Sequence, residues 1–250
     1  MVRLTASILY LLGVVAVSGG VWWLGLGQAL SELDKRGQSD LELASDRLVG
    51  QLQRFRELTV VLADDPRFQE AQIATEELRA ILLRAADLSA ALDLVLLGTD
   101  RQVIASASGQ TDIPWRSEPF VLRASQGALG SYHAISERFQ RRAFYIAAPV
   151  FSDDGPVSRV LVAVIDIERI EADSRGDRPA VFFMDELGVV IFSNRSELLM
   201  MQQGDGLRSP TAAYSADQLR PFVQFRSQAI QNHKVWRVSA GRYIPGRALH

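Results

Sequence analysis

The sequence predicts an α+β fold carried on a membrane-spanning helix. Three observations predict it: an uncharged apolar run from Thr5 to about Leu26, a switch of hydrophobic period near Leu92, and a strand–turn–strand phrase that recurs after Val181.

The run Thr5-Ala-Ser-Ile-Leu-Tyr-Leu-Leu-Gly-Val-Val-Ala-Val-Ser-Gly-Gly-Val-Trp-Trp-Leu-Gly-Leu26 holds no charge. A bilayer core of roughly 30 Å needs about 20 apolar residues at helical rise. Trp22 and Trp23 stand near its far end, where amphipathic rings favour the headgroup layer. Ala16-Val-Ser18 before Gly19 would also suit a cleaved signal, but signal h-regions span only about 7–15 residues. The run therefore reads as an uncleaved anchor over residues 5–27, crossing the inner membrane once. Lys and Arg are balanced about it, with Arg3 before and Lys35 and Arg36 after. The short flank 1–4 is placed in the cytoplasm by default, and the bulk of the chain in the periplasm.

Composition excludes several classes. A hydrophobic content of 48% and a charged content of 22% suit a globular chain rather than a disordered one. A net charge of −2 gives no footprint for nucleic acid. Without cysteine there is no disulfide, thiolate metal site or cysteine nucleophile. His133, His233 and His250 are the only histidines, and no Gly-x-Ser-x-Gly elbow, His-Glu-x-x-His helix or phosphate loop occurs. No catalytic residue, metal or cofactor is expected.

From Gln28 to Leu62 a helix continues out of the anchor. Leu30, Leu33, Leu41, Leu48, Leu52, Phe55, Leu58 and Leu62 keep broadly helical spacing, which suits core packing or a homodimer. Asp64-Asp65-Pro66 ends it, because proline lacks an N–H and disfavours helix in the residue before it. A second helix, about Thr75 to Ala90, sets Leu78, Ile81, Leu82 and Ala85 on one face. The first domain division is thus a helical segment, 28–91.

Strands follow. Leu92–Gly98 and Val103–Ala107 flank the turn Thr99-Asp-Arg101. A helix from Pro114 to Gln126 has proline in its first turn and Gly127 past its end. Gly130–Ser136, Arg142–Val150 and Val160–Asp166 read as three more strands, with Asp153-Asp-Gly-Pro156 as turn chemistry. Residues 92–175 form one PAS-like unit, an antiparallel sheet with helices. A second, partial unit occupies 176–250. Its strands Pro179–Met184 and Val189–Ser193 flank the turn Asp185–Gly188, and Val235–Tyr243 continues it.

An anchor, a long membrane-proximal helix, two tandem PAS-like units and the phrase Val189-Val-Ile-Phe-Ser-Asn194 resemble the double Cache sensor region of bacterial membrane histidine kinases. The nearest group is the sensors of four-carbon dicarboxylates. The likeness runs through Ile104-Ala-Ser-Ala-Ser108, Trp115-Arg116, the Gly127…Gly130…Tyr132 strand, Phe144–Val150 with its terminal Pro-Val, and Val164-Ile-Asp166-Ile. It implies an extracytoplasmic ligand-sensing module of a two-component system, a small anionic ligand such as an organic acid, and a homodimer through the long helix. Such kinases carry a second span, a phosphoacceptor helix and an ATP-binding domain, and these 250 residues hold no counterpart. The dicarboxylate sensors also carry a lysine where Val164 stands, which weighs against that ligand class. A partner-holding periplasmic protein and the input region of a chemoreceptor or diguanylate cyclase are the alternatives.

A small anion needs fixed donors converging in a partly apolar pocket, and the arginine fork suits carboxylate. In the first unit these requirements nominate Arg116, His133, Tyr145, and Arg142 or its neighbour Arg141. Arg116 falls in the first turn of the expected helix, where an anion would share its charge with helix N–H donors. Asp166 closes an apolar strand and either caps the following helix or meets the ligand.

Overall fold

The computed structural model describes residues 2–70, 73–112, 115–152, 155–176, 180–202, 214–215, 217–222, 225–230 and 233–238. Pro114, Asp153, Asp154, Pro179 and residues 239–243, which enter the expectations above, lie outside them. Contacts group the chain into two units, one of 46–177 with 182–221, the other of 1–45, 178–181 and 222–250.

The anchor and the helix after it are continuous, as α1 (Val2–Ala63). It contains the one helix among the described residues long and apolar enough to cross a membrane. Helix α1 ends where expected: Asp65 turns extended, accepts from the Arg67 N–H and caps a short 3₁₀ turn, Pro66–Phe68. In the larger unit, Leu48, Leu52 and Phe55 pack against Ile146, Ile165 and Ile170 of that unit's own core. The C-terminal half of the leucine stripe is therefore core, while Leu33 and Leu41 stay exposed.

Helix α2 (Thr75–Ser89) stops at Ala90, which takes a left-handed φ of 57°. Its buried Leu78 and Leu82 meet Leu94, Leu96 and Leu161. Burying each such leucine contributes about 2 kcal/mol.

The sheet is antiparallel throughout, in the order β2-β1-β5-β4-β3. The strands are β1 (Asp93–Leu97), β2 (Val103–Ser106), β3 (Gly130–Ser136), β4 (Arg141–Phe151) and β5 (Val157–Asp166). Strand β1 is buried along its whole length because helices cover both faces. Leu94 and Leu96 face α2, and Val95 and Leu97 face α3 (Pro119–Ser125).

Helix α3 starts later than the sequence reading puts it. Glu118, held extended at φ −67° and ψ 134°, precedes Pro119, which occupies the first helical position. Proline imposes that conformation on its predecessor, so a helix cannot run through Glu118. Trp115–Glu118 is a turn, closed by the Glu118 N–H donating to the Trp115 carbonyl at 3.1 Å. The far end is as expected, with Gly127 at φ +87° after the last turn.

Helix α3 lies so close to β3 that a Cβ on Gly130 would stand 2.0 Å from the Phe120 carbonyl oxygen. Backbone cannot yield as a side chain does. Gly130→Ala is expected to destabilise the unit by about 3 kcal/mol, the upper range of overpacking, and to displace α3. Chemical denaturation checks this, and an unchanged midpoint would refute the close approach.

After α4 (Ile167–Ala172), β6 (Phe182–Met184) and β7 (Val190–Ser193) form the expected second hairpin. Its turn is tied by Asp185, whose Oδ1 accepts the Leu187 and Val189 N–H groups, both at 2.9 Å. Short parallel strands β8 (Met201–Gln202) and β9 (Arg220–Pro221) follow. In the other unit, β10 (Phe225–Ile230) pairs antiparallel with β11 (His233–Val238).

Candidate functional site

Register places one row of side chains across the sheet beneath α3: Asp93 beside Val164, Val164 beside Tyr145, Tyr145 beside Tyr132. Side chains alternate along a strand, so these four share a face and their sequence neighbours share the other. Above the row, Trp115 and Phe120 descend from the turn and first residues of α3. The four rings touch: Trp115–Tyr145 and Phe120–Tyr145 centroids are 5.5 Å apart, and Phe120–Tyr132 5.7 Å. Val95, Val162, Val164, Ala143 and Ala147 continue the same apolar cluster.

One end of this face is polar. Asp93 is fully buried, an expensive position unless every lone pair is answered. Its carboxylate accepts from the Ser106 and Ser108 hydroxyls, both at 2.9 Å, and from the Ser108 N–H at 3.1 Å. Arg138, from the β3–β4 turn, closes the group with Nη1 donating to Asp93 at 2.7 Å. Its Nη2 donates to the Ser108 hydroxyl, and the guanidinium lies 4.6 Å over the Phe139 ring. The Arg138 Nε–H is buried with no acceptor among the described residues. Burial pushes the Tyr145 phenol above the ordinary tyrosine range, partly offset by the Ser136 hydroxyl, and Glu118, Arg138 and Glu137 also act on it. Burial also raises Tyr132, with the Glu118 carboxylate adding to it.

Tyr145 lies in this cluster, 5% exposed. Arg116 is exposed in the turn beside Trp115, ahead of α3 rather than within its first turn. It therefore stands outside the helix and its terminal N–H groups. It forms no hydrogen bond or ion pair among the described residues. Asp166 caps α4 by accepting the Glu168 N–H at 2.9 Å, and its other oxygen pairs with Arg141 at 2.6 Å.

His133 and Arg142 lie on the opposite face, paired in register with Phe144 and Ile135. The His133 Nε2 stands 3.4 Å from the Asp185 carboxylate. Tyr214 lies beside Asp185, and burial, then that carboxylate, pushes its phenol far above the ordinary range. Arg142 is 8% exposed and forks onto Glu171 at 2.6 and 2.7 Å, with a further bond to the Ile191 carbonyl at 2.8 Å. Glu171, 1% exposed, also accepts the Ser193 N–H. These two candidates thus brace the sheet against the β6–β7 hairpin and do not join Tyr145.

Sequence reading missed Asp93 and Arg138. Asp93 had a signal, as the one charge in the apolar stretch Leu92–Leu97. Arg138 had none that separated it from Arg141 and Arg142 three and four residues on.

No protein-family model matches the chain. It is 28% identical over 184 residues to the C4-dicarboxylate transport sensor protein DctB of Pseudomonas aeruginosa, a match covering 66% of this chain. The chain spans 29% of the length of the curated relatives it matches. Among solved structures, the sensor domain of the V. cholerae histidine kinase DctB superposes with a TM-score of 0.67 at 19% identity, over 84% of this chain and 87% of that one. The sensory domain of the Campylobacter jejuni chemoreceptor Tlp3 with isoleucine bound superposes at 0.61 and 16% identity, over 85% and 89%. The α+β sensor-domain fold is shared, and the resemblance to dicarboxylate sensors holds in sequence and in structure.

Proposed function

We propose that the chain is the extracytoplasmic ligand-sensing region of a two-component histidine kinase, and that it detects a small carboxylate. The observation that carries this reading is the match along most of the chain to the C4-dicarboxylate sensor protein. The α3 face supports it, since an apolar aromatic wall with a few fixed donors is what a small-ligand site requires. In this reading 5–27 spans the inner membrane, 92–175 is the membrane-distal unit that takes the ligand, and 176–250 is the membrane-proximal unit. The helix α1 would form the seam of a parallel homodimer, with the exposed Leu33 and Leu43, ten residues apart, on one face. Ligand binding would shift α1 against its partner and carry the signal to the membrane. The likeness to a chemoreceptor sensory domain supports a second reading, an input region with a different output.

The test is thermal unfolding of the full chain in detergent micelles with a panel of organic acids. A cognate acid at a hundredfold excess over its dissociation constant stabilises by about 2.7 kcal/mol. Stabilisation by several small acids, and none by neutral isosteres, is expected. A panel without effect would overturn carboxylate sensing.

A further inference from the structure

We propose that His133, Asp185 and Tyr214 form a proton-operated latch between strand β3 and the β6–β7 hairpin, which makes acidity an input to this domain. The latch is separate from carboxylate sensing, and its test uses no ligand.

The latch centres on one carboxylate. Asp185 opens the turn between β6 and β7, and its Oδ1 is occupied by the Leu187 and Val189 N–H groups. Its Oδ2 stands 3.4 Å from the His133 Nε2 of β3. The Asp185 side chain is 5% exposed and that of His133 30%, so the carboxylate is withdrawn from water while the imidazole keeps an edge for proton exchange. A buried carboxylate without a counter-charge is costly. Among the described residues, His133 is the one basic side chain within ion-pair distance of Asp185.

A second donor stands beside the same carboxylate. Tyr214 is 3% exposed, and its hydroxyl is buried with no partner among the described residues. Its ring belongs to the cluster of Val189, Leu187 and Ile135, 6.3 Å from the His133 ring. Burial, then the Asp185 carboxylate, pushes this phenol far above the ordinary range, so it keeps its proton and remains a donor. The other titratable and charged groups near His133 do not respond to mild acid. Burial raises the Tyr132 phenol as well, and Arg142 is forked onto Glu171. Phe144 faces His133 in register and carries no charge.

Histidine exchanges its proton between about pH 8 and about pH 5. With the proton, Nε2 carries an N–H and the ring a positive charge beside Asp185, a charged hydrogen bond that draws the hairpin onto β3. Without it, at most a neutral donor faces the carboxylate, and the Tyr214 hydroxyl becomes the stronger claimant. The His133 contact therefore contributes stability at acid pH and loses it as pH rises, while the Tyr214 bond gains. Strand β3 carries Tyr132 on its other face, stacked on Phe120, so the latch grips the strand that borders the aromatic cluster.

Urea denaturation of the full chain in micelles, at about pH 5.5 and about pH 8, tests the latch on two variants. His133→Phe keeps a ring beside Tyr132 but takes no proton. It should raise the unfolding constant at least about threefold more at the acid pH than at the alkaline one. Tyr214→Phe removes only the hydroxyl and should show the opposite dependence, costing more at the alkaline pH. Should either variant fail to fold, Asp185→Asn keeps an acceptor for the turn and removes the charge. It should share the dependence of His133→Phe. A merely structural role gives each variant one cost at both pH values. That result, or the same direction of pH dependence for His133→Phe and Tyr214→Phe, would overturn the latch.

Discussion

Arg142→Ala is expected to lower the stability of the sheet-bearing unit by about 3–5 kcal/mol. Arg142 lies on β4, yet its fork closes on Glu171 of α4 and reaches the Ile191 carbonyl on β7. Both partners are almost fully buried, so removing the arginine strands a carboxylate away from water with only the Ser193 N–H to hold it. The pair itself is worth far less than its breakage, since desolvation consumes most of the Coulombic gain. Arg142→Met with Glu171→Leu should therefore recover most of the loss. Urea denaturation of Arg142→Ala and of the double variant distinguishes the cases. A single variant within 1 kcal/mol of the parent, as a rough threshold, would mean that the pair is solvated in solution.

Asp93→Ala is the second large effect, about 3–5 kcal/mol by the same mechanism. Here the stranded groups are donors: Arg138 loses its counter-charge, and the Ser106 and Ser108 hydroxyls lose their common acceptor. Asp93→Asn retains one acceptor oxygen and should cost about half as much, because hydrogen bonds to a charged group are roughly twice as strong as neutral ones. Equal losses for Ala and Asn would show that charge, rather than hydrogen bonding, organises the group.

The sequence carried most of the fold, and the reasons for its failures are specific. Strands in the sheet announce themselves by composition, and α2 by its spacing of Leu78, Ile81 and Leu82, because those signals are local. The start of α3 was misplaced because a proline fits the first turn of a helix at either Pro114 or Pro119 in the sequence, and Pro119 holds the first position of α3. The leucine stripe of α1 was legible as a stripe, but period alone cannot say whether it packs on a sheet or on a second chain. Leu48, Leu52 and Phe55 took the sheet.

The site was less legible than the fold. Tyr145 could be nominated because a strand assignment and alternation put either it or Phe144 on the inner face, and register sets it beside Tyr132. Arg142 has the right residue type and a neighbouring position, but one step along a strand reverses the face. Its partner Glu171 lies 29 residues away on another element, a pairing that no local pattern encodes. Arg138 was hidden for the opposite reason, being one of three arginines in a short polar stretch until its bond to Asp93, 45 residues earlier, singles it out.

The central claim is that the α3 face of the sheet holds the ligand, and amide hydrogen exchange on the full chain tests it most directly. Exchange is compared with and without whichever acid raises the melting temperature most. The account predicts added protection at 115–125, in β3 and in β4 around Tyr145, with the β6–β7 hairpin changing less. Protection confined to 182–202, with α3 and β3 exchanging as before, would contradict it and move the site to the second hairpin.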